Sequence, residues 1–170
     1  MASKKGSNSV VKTFNTSVDL PQATLGKSID LLNKSLADTL DLFSQLKQAH
    51  WNVKGMEFYQ LHLLFDEFAE HAEGWVDEIA ERATALGGYA TGTVRMAAGS
   101  SRLPEYPTSA VDGVAHTRAV VERLGLYANL VRAAIDATDK AGDASTADLF
   151  TEISRCVDKD LWFAEAHLQG

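Results

Sequence analysis

A long amphipathic segment, residues 58–86, constrains the fold of this chain more than any other feature. Its apolar side chains recur every three or four residues, which predicts one continuous helix. The apolar positions are Leu61, Leu64, Phe65, Phe68, Ala72, Trp75, Ile79, Ala83 and Leu86. The glycines at positions 87 and 88 predict its end. The segment therefore predicts a helix whose apolar stripe leaves other faces for polar side chains.

Two pairs of potential metal ligands lie on this helix. His62 with Asp66, and Asp77 with Glu81, are each spaced four residues apart, so each pair shares one face. Asp66 and Asp77 differ by about 20° around the axis, but their separation along it is roughly 16 Å. One straight helix therefore cannot bring both pairs to one ion, because ligands lie about 2 Å from their metal. Two antiparallel copies related by a two-fold axis could, with two identical sites per dimer.

A fifth potential ligand, His50, lies on the preceding helix, predicted at residues 21–52. It falls on the apolar face of that helix, and a short connection around Gly55 then turns the chain back. The apolar positions are Leu25, Ile29, Leu32, Leu36, Leu40, Phe43 and Leu46. A single inward histidine is commonly a hydrogen-bonded core residue, and Asp77 with Glu81 alone would suit a solvated face.

The five residues together favour a different interpretation. Two imidazoles with three carboxylates suit iron, manganese or zinc. A thiolate cluster is excluded because Cys156 is the single cysteine. We therefore expect His50, His62, Asp66, Asp77 and Glu81 to form a metal site shared between subunits.

The rest of the chain predicts an all-α fold of four long helices in one domain, residues 19–170. Residues 89–107 form a loop with a short helical turn near Val94. A third long helix is predicted at residues 109–140 and a fourth at 145–168, with Val114 and Leu168 among the inward positions. The 45% hydrophobic content is enough for a substantial helical core, and no apolar run could span a membrane. The single cysteine is consistent with a reducing compartment.

Charge divides the chain unevenly. Residues 1–18 contain Lys4, Lys5 and Lys12 and no acid, whereas the remainder has 13 basic and 23 acidic residues. We predict that residues 1–18 form a flexible basic tail because they lack an apolar period. A solubilising terminus is the simpler interpretation, and contact with nucleic acid phosphates is the alternative.

At these residues the sequence resembles Dps, the mini-ferritin family. The resemblance covers the chain from about Asp19, and its motifs are highly specific. It rests on Gln48, Ala49, His50, Trp51, Asn52, Gly55, residues 62–66, residues 77–82, Leu86, Gly87, Gly88, Ala147, Asp148, Leu149, Asp158, Lys159, Leu161, Trp162 and Phe163. Larger ferritins build their site inside one bundle with a Glu-x-x-His arrangement, which this sequence lacks.

The resemblance implies a ferritin-like four-helix bundle in a hollow dodecamer. It places ferroxidase ligands at His50, His62 and Asp66 of one subunit and at Asp77 and Glu81 of its neighbour. The implied substrates are Fe(II) and hydrogen peroxide, with a dinuclear iron site or one ion plus a weak second site. Zinc or manganese could substitute. The expected location is the cytoplasm, in association with the nucleoid.

Basic N-terminal tails of Dps proteins commonly bind DNA, so we expect non-specific, salt-sensitive binding through the tail lysines. Two alternatives stay open: a DNA-compacting structural protein with little ferroxidase activity, and an iron-storing shell that does not bind DNA.

Six further positions carry secondary predictions. Asp139, Asp143 and Asp148 surround the turn between the last two helices, which lines three-fold pores in the proteins this chain resembles; helix capping by Asp143 is the simpler interpretation. Trp51, beside His50, suits either a redox role or packing in a core or interface. We also expect Lys47 to reach a site carboxylate or solvent, and Trp162 to serve packing alone.

Overall fold

The computed structural model describes residues 12–169, which contain five α-helices. These are α1 (Gln22–Asn52), α2 (Phe58–Ala85), α3 (Val94–Ser100), α4 (Gly113–Ala141) and α5 (Ala144–Ala166). The predicted all-α class and the short helix in the long loop are both confirmed. None of the helices in this part of the chain has the length and hydropathy to cross a membrane.

The four long helices form a bundle from two helical hairpins. α1 packs along α2, α4 packs along α5, and α1 also contacts α4, while the short α3 lies against α1. The largest fully buried side chains come from all four long helices and from the residue that follows α2. They are Leu32, Leu36, Leu42, Leu46, Leu61, Phe65, Phe68, Ile79, Leu86, Leu124, Tyr127 and Phe150. Each contributes about 1.5–3 kcal/mol relative to an exposed position, so this core accounts for most of the driving force for folding.

Capping residues set the ends of α4 and α5. Asp112 accepts a hydrogen bond from the backbone N–H of Ala115, so α4 begins at Gly113 and not at residue 109 as predicted. Val114 therefore lies in the first turn, where it is half exposed and not inward. Gly142, at φ 85°, ends α4 in the left-handed conformation that glycine adopts at low cost.

The turn between α1 and α2 determines which side chains meet. Val53 donates its N–H to the Ala49 carbonyl, and Gly55, at φ 116°, reverses the chain. The last turn of α1 therefore lies beside the first two turns of α2. This arrangement brings His50 next to His62.

Candidate metal centre

His50 and His62 hold each other through reciprocal hydrogen bonds to the backbone. His50 Nδ1 lies 2.7 Å from the His62 carbonyl oxygen, and His62 Nδ1 lies 2.8 Å from the His50 carbonyl oxygen. The rings stack with centroids 3.8 Å apart and planes inclined by 19°. A carbonyl oxygen can only accept, so both Nδ1 atoms carry the hydrogen. In the neutral rings each Nε2 therefore keeps a lone pair for a metal ion.

Asp66 is the third ligand candidate, one helical turn after His62. Its Oδ1 lies 2.5 Å from Lys47 Nζ and 3.8 Å from His50 Nδ1, so the predicted contact between Lys47 and a site carboxylate is confirmed. The hydrogen bond from Lys47, which outweighs the opposing effect of burial, lowers the pKa of Asp66. The nearby imidazoles of His50 and His62 act in the same direction. Asp66 is therefore an anion at neutral pH.

Asp77 and Glu81 lie at the other end of α2, where both are exposed. α2 is a continuous helix between Asp66 and Asp77, so their separation along its axis is roughly 16 Å. One subunit thus brings together His50, His62 and Asp66 and leaves Asp77 and Glu81 apart. A site shared across a two-fold axis requires this separation, because each subunit would then contribute one set of ligands to each of two sites. The sharing itself stays a prediction.

Trp51 is 63% exposed in the single subunit, so it is not a core residue. Other large apolar side chains near the α1–α2 turn are also exposed: Met56, Phe58, Tyr59 and Leu63. Such a concentration of exposed apolar side chains is typical of a surface that a partner covers. The interface interpretation of Trp51 therefore gains support, whereas Trp162, which is 61% exposed, does not serve packing within the subunit as expected.

Among the three predicted pore aspartates, Asp143 has another role. Its carboxylate is 1% exposed, accepts hydrogen bonds from the Thr146 N–H and hydroxyl, and pairs with Arg82 at 2.9 Å. Asp143 therefore caps α5 and ties it to α2, and its pore assignment is corrected because both oxygens already have partners within the subunit. Asp139 and Asp148 are exposed.

Part of the predicted basic tail is attached to the bundle. The Phe14 N–H donates to the Gly87 carbonyl at 2.7 Å, and the Thr16 hydroxyl donates to the Ala85 carbonyl at 3.2 Å. Lys12 is exposed, and its Nζ lies 5.2 Å from the centre of the Phe14 ring. Lys4 and Lys5 lie outside the described residues.

The predictions from the sequence did not include a second group of potential ligands. His71 on α2 and Cys156 with Asp160 on α5 offer one ligand atom each within 4.8 Å of one another. The four-residue spacing of Cys156 and Asp160 is visible in the sequence. The proximity of His71 is not, because it depends on how α2 packs against α5.

Comparison with known proteins assigns this chain to a class of proteins. A family model described as a ferritin-like domain matches residues 29–170. The chain is thus a ferritin-like protein. A DNA protection during starvation protein of Agrobacterium fabrum is 45% identical over 159 residues, which cover 94% of this chain and 98% of that protein.

Solved structures indicate which family of ferritin-like proteins the chain resembles. DpsC from Streptomyces coelicolor superposes with a TM-score of 0.85 at 35% identity and covers 93% of this chain and 91% of that one. Mycobacterium smegmatis Dps gives a TM-score of 0.87 at 29% identity, with 92% and 94% coverage. The chain belongs to the Dps family.

Proposed function

We propose that this protein oxidises Fe(II) at ferroxidase sites shared between two subunits and stores the ferric product inside a closed homo-oligomeric shell. The observation that carries the proposal is the reciprocal pairing of His50 with His62, because it directs two Nε2 lone pairs away from the backbone in a fixed orientation. Membership of a family of iron-storing ferritin-like proteins supports it. We expect the shell to be a dodecamer.

The donor chemistry suits the reaction. Neutral imidazoles bind the ferrous substrate, whereas the carboxylates of Asp66, Asp77 and Glu81 favour the ferric product because hard anions prefer the more highly charged ion. With hydrogen peroxide, two ferrous ions each lose one electron, and one peroxide takes both electrons and two protons to give two waters. Two-electron reduction releases no hydroxyl radical, so we propose peroxide as the preferred oxidant.

Entry of iron is proposed at acidic pores lined by Asp139 and Asp148. Both carboxylates are exposed at the α4–α5 turn. Repeated around a three-fold axis, they would raise the local concentration of cations.

DNA binding is the second proposed activity. The curated relatives bear the name DNA protection during starvation protein, and Lys12 is exposed at the start of the described chain. Together with Lys4 and Lys5 it gives each subunit three positive charges, and a shell would multiply these weak phosphate contacts. A cytoplasmic location with association to the nucleoid belongs to this proposal.

Iron oxidation tests the first proposal. Ferrous ion is added anaerobically, peroxide follows, and ferric absorbance is recorded for the parent and for His50→Ala, Asp77→Ala, Glu81→Ala combined. We expect the parent to oxidise iron quickly and keep it soluble, and the variant to match buffer. The matched control combines His167→Ala, Asp30→Ala and Glu165→Ala, which removes the same residue types elsewhere. Equal rates in parent and ligand variant would overturn the ferroxidase assignment and make DNA compaction the leading function.

Deletion of residues 1–12 tests DNA binding separately. We expect DNA retention on a gel to disappear while iron oxidation is unchanged, and retention by the parent to fall steeply as salt rises. Retention that survives the deletion would exclude the tail as the DNA contact. A parent that retains no DNA at low salt would leave an iron-storing shell as the function.

A further inference from the structure

A group of three potential ligands joins α2 to α5 away from the two-histidine site. His71 Nδ1 lies 3.0 Å from Asp160 Oδ2, and Cys156 lies one turn before Asp160 on the same face of α5. Within residues 12–169, these three side chains each offer one ligand atom, and the three atoms all lie within 4.8 Å of one another. In a tetrahedral zinc site, neighbouring ligand atoms are roughly 3.5 Å apart, so small side-chain rotations suffice to close the group around an ion.

Packing fixes the position of the group. The His71 ring stacks on Trp75 with centroids 6.2 Å apart, and Trp75 stacks on the buried Tyr127 at 5.9 Å. The His71 side chain is 32% exposed, whereas that of Asp160 is 2% exposed. The group therefore has a rigid inner wall and an opening through which an ion can enter.

Lys159 is the lysine whose charge acts on Asp160 and Cys156, and nearby acidic side chains oppose it. Burial raises the pKa of Asp160, and the contact with His71 offsets this effect only in part. Burial, followed by the nearby Asp160, also raises the pKa of Cys156. Glu67 and Glu152 act in the same direction on the thiol. A divalent cation would supply the missing charge and compensate a carboxylate that is expensive to bury.

We propose that His71, Cys156 and Asp160 form a site within one subunit for a thiophilic divalent cation such as Zn²⁺. Imidazole, thiolate and carboxylate are the three ligand types that Zn²⁺ accepts, and a water molecule would complete four-coordination. Binding releases the thiol proton of Cys156, and coordination through His71 Nδ1 leaves the hydrogen of the neutral imidazole on Nε2. The site is independent of the proposed ferroxidase function, because it uses none of its residues.

Cobalt spectroscopy tests the proposal. Co²⁺ is titrated anaerobically into the whole protein, and the near-ultraviolet charge-transfer band of a cobalt–thiolate bond is recorded. Cys156 is the single cysteine, so such a band can come from this residue alone. We expect the band to saturate at one ion per subunit, to vanish in Cys156→Ser, and to require at least tenfold more Co²⁺ in Asp160→Asn.

Two controls separate this site from other cobalt sites and from damage to the fold. Asp158→Asn alters a carboxylate on the same helix that pairs with Arg132, and it should leave the titration unchanged. His50→Ala with His62→Ala should also keep the band. Alkylation of Cys156 in the parent needs no variant: Zn²⁺ should slow it at least tenfold. A titration without a thiolate band, together with an alkylation rate that Zn²⁺ does not change, would mean that His71 and Asp160 are only a hydrogen-bonded pair.

Discussion

The ammonium group of Lys47 pairs with Asp66, one of the carboxylates that the proposed ferroxidase site needs. Its Nζ lies 2.5 Å from Asp66 Oδ1, so an arriving cation must share Asp66 with an ammonium group or displace it. The lysine lowers the pKa of Asp66 and also repels the ion that Asp66 would bind. These two effects act in opposite directions, and at neutral pH the repulsion should dominate because the carboxyl would be ionised without Lys47 as well.

Replacing Lys47 should therefore strengthen iron binding. We expect Lys47→Gln to raise the affinity for ferrous ion about fivefold, which corresponds to about 1 kcal/mol. Anaerobic calorimetry measures the change. Lys34→Gln is the matched control, since Lys34 also pairs with an aspartate on its own surface, Asp30. Weaker binding in Lys47→Gln would show that the lysine supports the site.

Asp143 offers a residue-scale test of stability. Burial alone would raise its pKa, but the hydrogen bonds from the Thr146 hydroxyl and N–H and the charge of Arg82 hold the pKa below the ordinary value of 3.8. The carboxylate thus stabilises the fold at pH values above about 4, and this contribution is lost as the pH falls through the lowered pKa. Asp143→Asn should cost about 3 kcal/mol at pH 7.

Thermal unfolding at two pH values checks this prediction. The difference between parent and Asp143→Asn should be large at pH 7 and should shrink under acid conditions. Asp148→Asn is the control, because Asp148 is exposed on the same helix. An equal loss of stability in Asp143→Asn at both pH values would mean that the ionised form of Asp143 does not stabilise the fold.

The residue scale also shows how far the sequence can predict the site. The inward position of His50 and the neighbourhood of His62 and Asp66 follow from helical periodicity and a short turn. The fixed tautomers of His50 and His62 do not, since they depend on where two carbonyl oxygens lie after the turn has closed. The burial of Asp143 was missed for a similar reason: its partner Arg82 is 61 residues away in sequence.

At the scale of elements, α2 carries most of the proposed metal ligands because it is long and continuous. It holds four of the five proposed ligands and His71. The sequence predicted α2 well because its apolar period is unbroken and glycines follow it. The start of α4 was predicted four residues too early, because Asp112 and not the apolar period determines where that helix begins.

Gly87 connects the end of α2 to the N-terminal segment. It has φ 83°, and a Cβ there would collide with the Phe14 carbonyl. Gly87→Ala should therefore destabilise the protein by about 2 kcal/mol and release the segment that follows Lys12. Trypsin cleavage after Lys12, followed by mass spectrometry, should become faster.

Gly142→Ala is the matched control for Gly87→Ala. Gly142 has φ 85°, but a Cβ there would meet nothing within 4 Å. Gly142→Ala should lose only about 1 kcal/mol of stability, the cost of placing alanine at a positive φ, and cleavage after Lys12 should be unchanged. Equal cleavage rates in both variants would show that the contact with Phe14 does not hold the segment.

At the scale of the whole molecule, a shared site makes a prediction about mixed assemblies. One inactive variant carries His50→Ala with His62→Ala, and the other carries Asp77→Ala with Glu81→Ala. If the variants are dissociated, mixed equally and reassembled, half of the two-fold pairs are mixed and each mixed pair has one intact site. About a quarter of the parent ferroxidase rate should therefore return. If light scattering confirms reassembly and no ferroxidase activity returns, sites shared between two subunits are excluded.

The hairpin of α1 and α2 has a consequence for the order of events in the cell. His50 and His62 are twelve residues apart, so their pairing depends on contacts that close early as the chain folds. A newly made subunit would then hold its histidines in place before it meets a partner, but with three ligands it would hold iron only loosely. Rapid oxidation would wait for the second chain. Under the proposed function, ferric mineral would thus form only inside assembled shells, and unassembled subunits would not produce insoluble iron outside them.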